Sequence, residues 1–400
     1  MMKSSVRDLA VFGSKPAFSC ELPAGQLNMP EWERVEAAFR GIFDRKYYTN
    51  HGPLARELEA RLEQLLGVKH AVCMTNETIA LMIAAKAMGL KGKVIMPSFS
   101  FAGTGQSLIW AGLDPIFCDV DPYSHRMTGE KAATLINEDV SAILGVHMWG
   151  NPCNPRDLER LAHERGIQLY FDAAHAFGCT SDNVTIGNFG DMEVFSFHAS
   201  NVLNSAEGAC VCTNNDYLAA RLRNIRSSYG AGNKVPIPLT GNGRMSEAQA
   251  AMALMSLEDY PGNQKRNKNI FELYTALLGI LPGIRFQCPD GKNQSNYQCV
   301  VFEINEKEFC LSGGELRKLL NAENFISRRH LASGLHRTSL FRERYPRFRE
   351  ASPVTDQLCR QVIQLPSGQA MNEELIREVC RLITFVHENA KEIKRKMVSL

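Results

Sequence analysis

The chain has 400 residues, 44% of them hydrophobic and 22% charged, which excludes a disordered, collagen-like or coiled-coil protein and leaves room for two or three domains. Lys and Arg number 45 against 43 Asp and Glu, so a net charge of +2 points neither to a nucleic-acid partner nor to an anionic membrane. No apolar run reaches the ~18–20 residues that span a bilayer, and the 12 cysteines include no CxxC pair, so neither a metal site nor a disulfide framework is expected and a reducing cytoplasm is the simplest compartment.

The start, MMKSSVRDLAVFGSKPAF, has no apolar stretch of signal-peptide length. Leu54, Leu58, Leu62, Leu65 and Leu66 then fall on one helical stripe, which Gly67 can end. Val68 to Met74 reads as a strand, Thr78 to Leu90 as a helix, and Val94 to Met96 as a strand stopped by Pro97. Pro115 to Val120 and Ile143 to His147 read as buried strands, Leu158 to His163 as a helix, and Ile167 to Phe171 as a strand running into Asp172. Val194 to Phe197 and Ala209 to Thr213 complete the strand set. Alternation of this kind predicts an α/β fold: a mostly parallel sheet with helices on both faces, and ligands beyond the carboxyl ends of the strands. Ser246–Leu257 is helical, Pro261-Gly262-Asn263 breaks the pattern, and Asn267–Leu278 starts a new helix. Tyr297–Ile304 reads as a strand and Glu373–His387 as a helix, with a basic, solvated end in KEIKRKMVSL. The expected division is an N-terminal segment over 1–39 lying across the large domain or a partner, a large domain over 40–261, and a smaller α+β domain over 262–400.

Taken singly, the residues that follow the strands are weak signals. Asp172 serves equally as a helix cap, most helix starts such as Thr75-Asn76-Glu77-Thr78 bind only water, and a lone His175 or His198 is more often structural. Their order and spacing change this. The stretches TNHGPLARELEARL, TNETIAL, MPSFSFAGT, FCDVDP, GVHMWGNPC, FDAAHAFG, FGDMEVFSFHAS, GNGRMSEAQAAM, NYQCVVFEI and LPSG resemble, from about Leu9 to Val386, the DegT/DnrJ/EryC1/StrS sugar aminotransferases. These are fold-type-I pyridoxal phosphate enzymes, and the nearest resemblance is to nucleotide-sugar 4-aminotransferases that act on 4-keto-6-deoxy sugars.

The resemblance implies pyridoxal 5'-phosphate or pyridoxamine 5'-phosphate as cofactor, a small-molecule sugar substrate, glutamate as amino donor and a homodimer with shared active sites, with no nucleic-acid or membrane partner. It places Asp172 at the ring nitrogen, Phe101 on a ring face, His175 beside the ring hydroxyl, and Asn76, Glu77, Thr78 and Ser196 around the phosphate, with Asn242 reaching the partner's phosphate. Glu77 stands where the family has a small residue, and a carboxylate beside a phosphate is unfavourable, so either its side chain is expected to point away or phosphate binding is weakened.

One departure bears on the chemistry. The family's cofactor-attaching lysine ends the motif S-F-H-A-T-K, and here the motif reads Ser196-Phe197-His198-Ala199-Ser200-Asn201. No lysine occurs from 132 to 233. An amide neither attaches the cofactor nor moves a proton. The expectation is therefore a sugar aminotransferase-like protein that holds its cofactor non-covalently, with His198 or His175 as base. Three alternatives stand beside it: a dehydratase or lyase on the same scaffold, a catalytically silent partner of a true aminotransferase, and an engineered Lys-to-Asn trapping variant. In the C-terminal part, His330-Leu331-Ala332-Ser333 replaces a more aromatic, proline-bearing pattern at the expected substrate pocket.

Overall fold

The computed structural model describes residues 3–227, 232–327, 331, 333–348 and 352–397. His330 and Ala332 lie outside them.

The centre is a seven-stranded sheet of β1 (His70–Met74), β2 (Lys93–Pro97), β3 (Asp114–Cys118), β4 (Val140–Val146), β5 (Gln168–Asp172), β6 (Met192–Ser196) and β7 (Ala209–Thr213), in the order β1-β7-β6-β5-β4-β2-β3. β2 runs parallel to β3 and β4, β4 to β5, and β5 to β6, whereas β7 is antiparallel to both its neighbours. Helices cover both faces, so the strands read as near-continuous apolar runs; β5 is buried from Leu169 to Asp172. The register Val146↔Asp172↔Val194 sets the carboxyl ends of β4, β5 and β6 side by side.

Helix α1 (Trp32–Arg45) precedes α2 (Pro53–Leu66), which starts on Pro53 and ends at Gly67 in the left-handed region, φ 66°. Its leucine stripe is half of what the sequence implies. Leu58, Leu62 and Leu66 are buried, whereas Leu65 is exposed. Helix α3 (Glu77–Met88) is capped by Asn76, whose Oδ1 accepts from the Ile79 amide at 2.9 Å, and it packs on β6 and β7. Helix α4 (Ala102–Trp110) follows β2 directly.

The predicted break at Pro261 does not occur. Residues Glu247–Leu278 form one helix, α5, with Pro261 inside it and an exposed ring. Its first half packs Leu254, Leu257 and Tyr260 into the core of the large sheet. Its second half packs Ile270, Phe271, Tyr274 and Leu278 into a second core, with a three-stranded antiparallel sheet (Ile284–Phe286, Val300–Ile304, Val362–Leu365). An interior proline costs about 3 kcal/mol, and burying apolar side chains at both ends outweighs it at about 1.5–3 kcal/mol each.

The N-terminal segment touches both cores: its second half meets the large domain, where Arg34 pairs with Asp259 at 2.8 Å, and its first half meets the other. Val6, Leu9 and Phe18 are buried in the second core, and Leu22–Pro23 pairs in parallel with Phe325–Ile326. Apolar side chains spaced along an irregular segment carry no periodicity that names their partner. The basic end docks as well: over Ala390–Met397 the helix buries Ile393, and Lys394 pairs with Glu306 at 2.9 Å. No helix of the described residues is long and apolar enough to cross a membrane.

Candidate active site

Beyond the carboxyl ends of β4, β5 and β6 lies a cleft of about 720 Å³, within the usual size of a small-molecule site. Asp172, the last residue of β5, is 4% exposed and forms part of the cleft wall. Thr104 Oγ1 donates to its Oδ2 at 2.7 Å and the Ala174 amide to its Oδ1 at 3.1 Å, while Ser100 donates to Thr104 Oγ1 at 3.0 Å. Two donors and a supporting hydroxyl fix the orientation of the carboxyl group. Phe101, at the start of α4, presents a ring that is 62% exposed.

His175 follows Asp172 by three residues. Its Nδ1 accepts from the Trp149 amide at 3.4 Å, which leaves the proton on Nε2, and its ring stacks on that of Trp149 at 5.9 Å. Trp149 holds this place with a left-handed backbone, φ 64°, and its own Nε1 donates to His125 at 3.2 Å. His198 lies at the rim. Its Nδ1 meets Ser200 Oγ at 2.9 Å and its Nε2 lies 3.8 Å from Glu207.

Asn201, which the resemblance sets where the family has its lysine, is tied back into the protein. Its Nδ2 donates to the Ser196 carbonyl at 2.9 Å, its Oδ1 accepts from Gln298 Nε2 at 3.0 Å, and it is 5% exposed. Both ends of the carboxamide are satisfied within the fold.

Glu77 contradicts the expectation that it points away. Its carboxyl faces Asp172 and Ser196 inside the cleft, and its Oε1 is buried without a hydrogen-bond partner. The reason is placement. It is the first residue of α3, and that helix begins over the ends of β6 and β7. Burial, then the Asp172 carboxylate beside it, pushes the Glu77 carboxyl well above the usual carboxylate range.

The fold thus gathers Asn76, Glu77, Thr78, Phe101, Asp172, His175, Ser196, His198 and Asn201 around one cleft. It leaves Asn242 outside. That residue is exposed beside the Thr75–Gly243 and Met74–Arg244 backbone pairings on the flank of β1. Sequence reading missed Thr104, Trp149 and Gln298. Thr104 lay in the quoted stretch MPSFSFAGT and Trp149 in GVHMWGNPC, but nothing local to Gln298 links it to position 201. The cleft wall carries no Lys or Arg among the described residues.

The model of the DegT/DnrJ/EryC1/StrS aminotransferase family matches residues 31–384. The chain is 33% identical to the dTDP-4-amino-4,6-dideoxy-D-glucose transaminase of Shigella dysenteriae over 76% of this chain and 83% of that one. It is 27% identical to the GDP-perosamine synthase of Vibrio cholerae over 85% and 92% respectively. Its structure resembles that of DesI, solved in the presence of its TDP-sugar product, with a TM-score of 0.92 and 36% identity over 98% of this chain and 100% of that one. Pyridoxal phosphate or pyridoxamine phosphate is the cofactor expected of such a chain. The residues suit it in part: Asp172 fits a ring nitrogen and Phe101 a ring face, but Asn201 offers no amine for attachment and Glu77 intrudes. By the extent of the match and the likeness of its fold, the chain belongs to the DegT/DnrJ/EryC1/StrS aminotransferase family.

Proposed function

We propose that this protein holds pyridoxamine phosphate or pyridoxal phosphate non-covalently in the cleft and acts on a keto-deoxy sugar carried on a nucleotide. The observation that carries the reading is the contrast between Asp172, fixed by two donors at the cleft wall, and Asn201, whose carboxamide is tied back into the fold. When bound, the cofactor supplies an electron sink for chemistry at the substrate carbon next to it. Asp172 sets a negative charge against the ring nitrogen. Phe101 covers a ring face, and His175, protonated on Nε2, donates to the ring oxygen. Ser196 and the first turn of α3 face the phosphate.

Proton transfer falls to His198. Its Nδ1 accepts from the Ser200 amide at 3.3 Å, so the neutral ring carries its proton on Nε2, the nitrogen that would give it up and take it back, with Glu207 3.8 Å away. The names of the relatives, each a nucleotide-linked amino-sugar enzyme, support the substrate class. A dehydratase or lyase is the second reading, favoured by the absence of an amine at residue 201.

Two exposed apolar side chains on α1, Trp32 and Phe43, and the exposed Asn242 support a homodimer in which Asn242 serves the partner's cleft. The division into 1–39, 40–261 and 262–400 belongs to the same reading, with α5 as the link across 261. Twelve free thiols support a cytoplasmic setting.

Incubation with pyridoxamine phosphate and a panel of nucleotide-linked keto-sugars, followed by mass spectrometry, tests the reading. Replacement of the keto oxygen by an amino group supports transamination, and loss of water supports the lyase. If neither form of the cofactor binds at millimolar concentration, the reading fails and a silent partner of a true aminotransferase is left.

A further inference from the structure

Among the described residues lining the cleft, Glu77 is the one with a buried side-chain oxygen that has no hydrogen-bond partner. It lies between two groups at the ends of adjacent strands, Asp172 on β5 and Ser196 on β6. Asp172 has two donors, from Thr104 and Ala174, whereas Glu77 Oε1 has none. Two carboxyls side by side do not both ionise. Burial and the carboxyl beside it hold the proton on Glu77, which stays in the cleft as a neutral acid. The other charged group that faces it is Glu207, of the same sign as Asp172.

The start of a helix is also where an external anion is best received, because free amide N–H groups and the helix dipole point there. Glu77 is the first residue of α3, so its side chain takes the position such an anion would approach. A phosphate placed beside Ser196 would meet this acid, with no lysine or arginine on the described cleft wall to offset it.

We propose that Glu77 is a specificity-determining residue that occludes the anion end of the cleft, so that the protein holds phosphate-bearing ligands weakly while Glu77 is present. This rests on the reading of the cleft as a pyridoxamine phosphate site. The side chain acts by bulk, since the neutral acid carries no charge to set against a phosphate. Glycine removes the bulk, and glutamine keeps it.

Equilibrium dialysis of pyridoxamine phosphate against the wild type, Glu77→Gly and Glu77→Gln decides the matter. The glycine variant is expected to bind about tenfold or more tighter than wild type, because it opens the place the buried side chain fills. The glutamine variant is expected to gain less than the glycine variant but to bind no more weakly than wild type. If Glu77→Gly binds equally or more weakly while the wild type binds, the occlusion is wrong and the cofactor reading stands. The same holds if Glu77→Gln binds more weakly than wild type. If wild type, Glu77→Gly and Glu77→Gln all fail to bind at millimolar ligand, the cofactor reading itself is wrong, and the inference falls with it.

Discussion

Gln298 holds Asn201. Its Nε2 donates to Asn201 Oδ1 and to the Ser200 carbonyl, both at 3.0 Å, and its Oε1 accepts from the Val202 amide at 3.0 Å. A residue 97 positions away thus clamps the segment Ser200–Val202. Lysine at 201 would remove the acceptor for Gln298 and place an amine next to Ser196.

Asn201→Lys is therefore expected to gain a covalent site. With pyridoxal phosphate the variant should form a yellow species that borohydride fixes to residue 201, as peptide mass spectrometry would show. The lost clamp should cost about 1–3 kcal/mol of stability, read from denaturant unfolding. If the fold is retained and no adduct forms at 201, the segment does not face the cofactor, and the roles given to Asp172 and Ser196 fall too.

Asp172→Asn should weaken pyridoxamine phosphate binding by about tenfold or more, because a neutral amide no longer favours a protonated ring nitrogen. Thr104→Val removes only the 2.7 Å donor to Asp172 and should weaken binding by a smaller factor. Fluorescence titration separates the two. An unchanged affinity in Asp172→Asn would show that the carboxylate does not meet the ring.

Glu77 makes stability depend on pH in a stated direction. Its folded-state value is raised, so above the ordinary value of 4.5 the unfolded chain releases a proton that the folded protein keeps. Stability is then lost as pH rises from about that value toward the raised one. Glu77→Gln removes this loss. Its melting temperature should exceed that of wild type at pH 8 and match it near pH 4. An equal difference at both pH values would mean that packing, and not ionisation, is what the substitution changes.

Pro261 is tolerated rather than required. It is exposed inside α5, and Pro261→Ala should stabilise the protein by about 1–3 kcal/mol by restoring a helix hydrogen bond. At Gly262 a Cβ would meet nothing within 4 Å, so Gly262→Ala should add about 0.5–1 kcal/mol. Chemical denaturation measures both. A loss of stability in either variant would show that Pro261 or Gly262 is needed to seat the two halves of the helix.

The sequence by itself determined the sheet and the outline of the site. Strands buried on both faces must be apolar throughout, and β5 and β7 are legible in Gln168–Asp172 and Ala209–Thr213 for that reason. Pro53, Gly67 and Asn76 mark helix ends through local backbone chemistry. Asp172 and Ser196 end strands and Phe101 follows one, and a parallel sheet brings such positions to one edge. What only the tertiary structure decided depends on groups far apart in the chain. Helix α5 runs through Pro261 because each half is buried in a different core, and residues 6–18 find their core more than 250 residues away. Asn201 is tied back at the cleft wall by Gln298, and Glu77 is turned into the cleft by the position of α3 over the sheet. Periodicity and caps report each residue's near neighbours along the chain. The direction of a side chain at the end of an element is set by what packs against it, and here those partners lie on other elements.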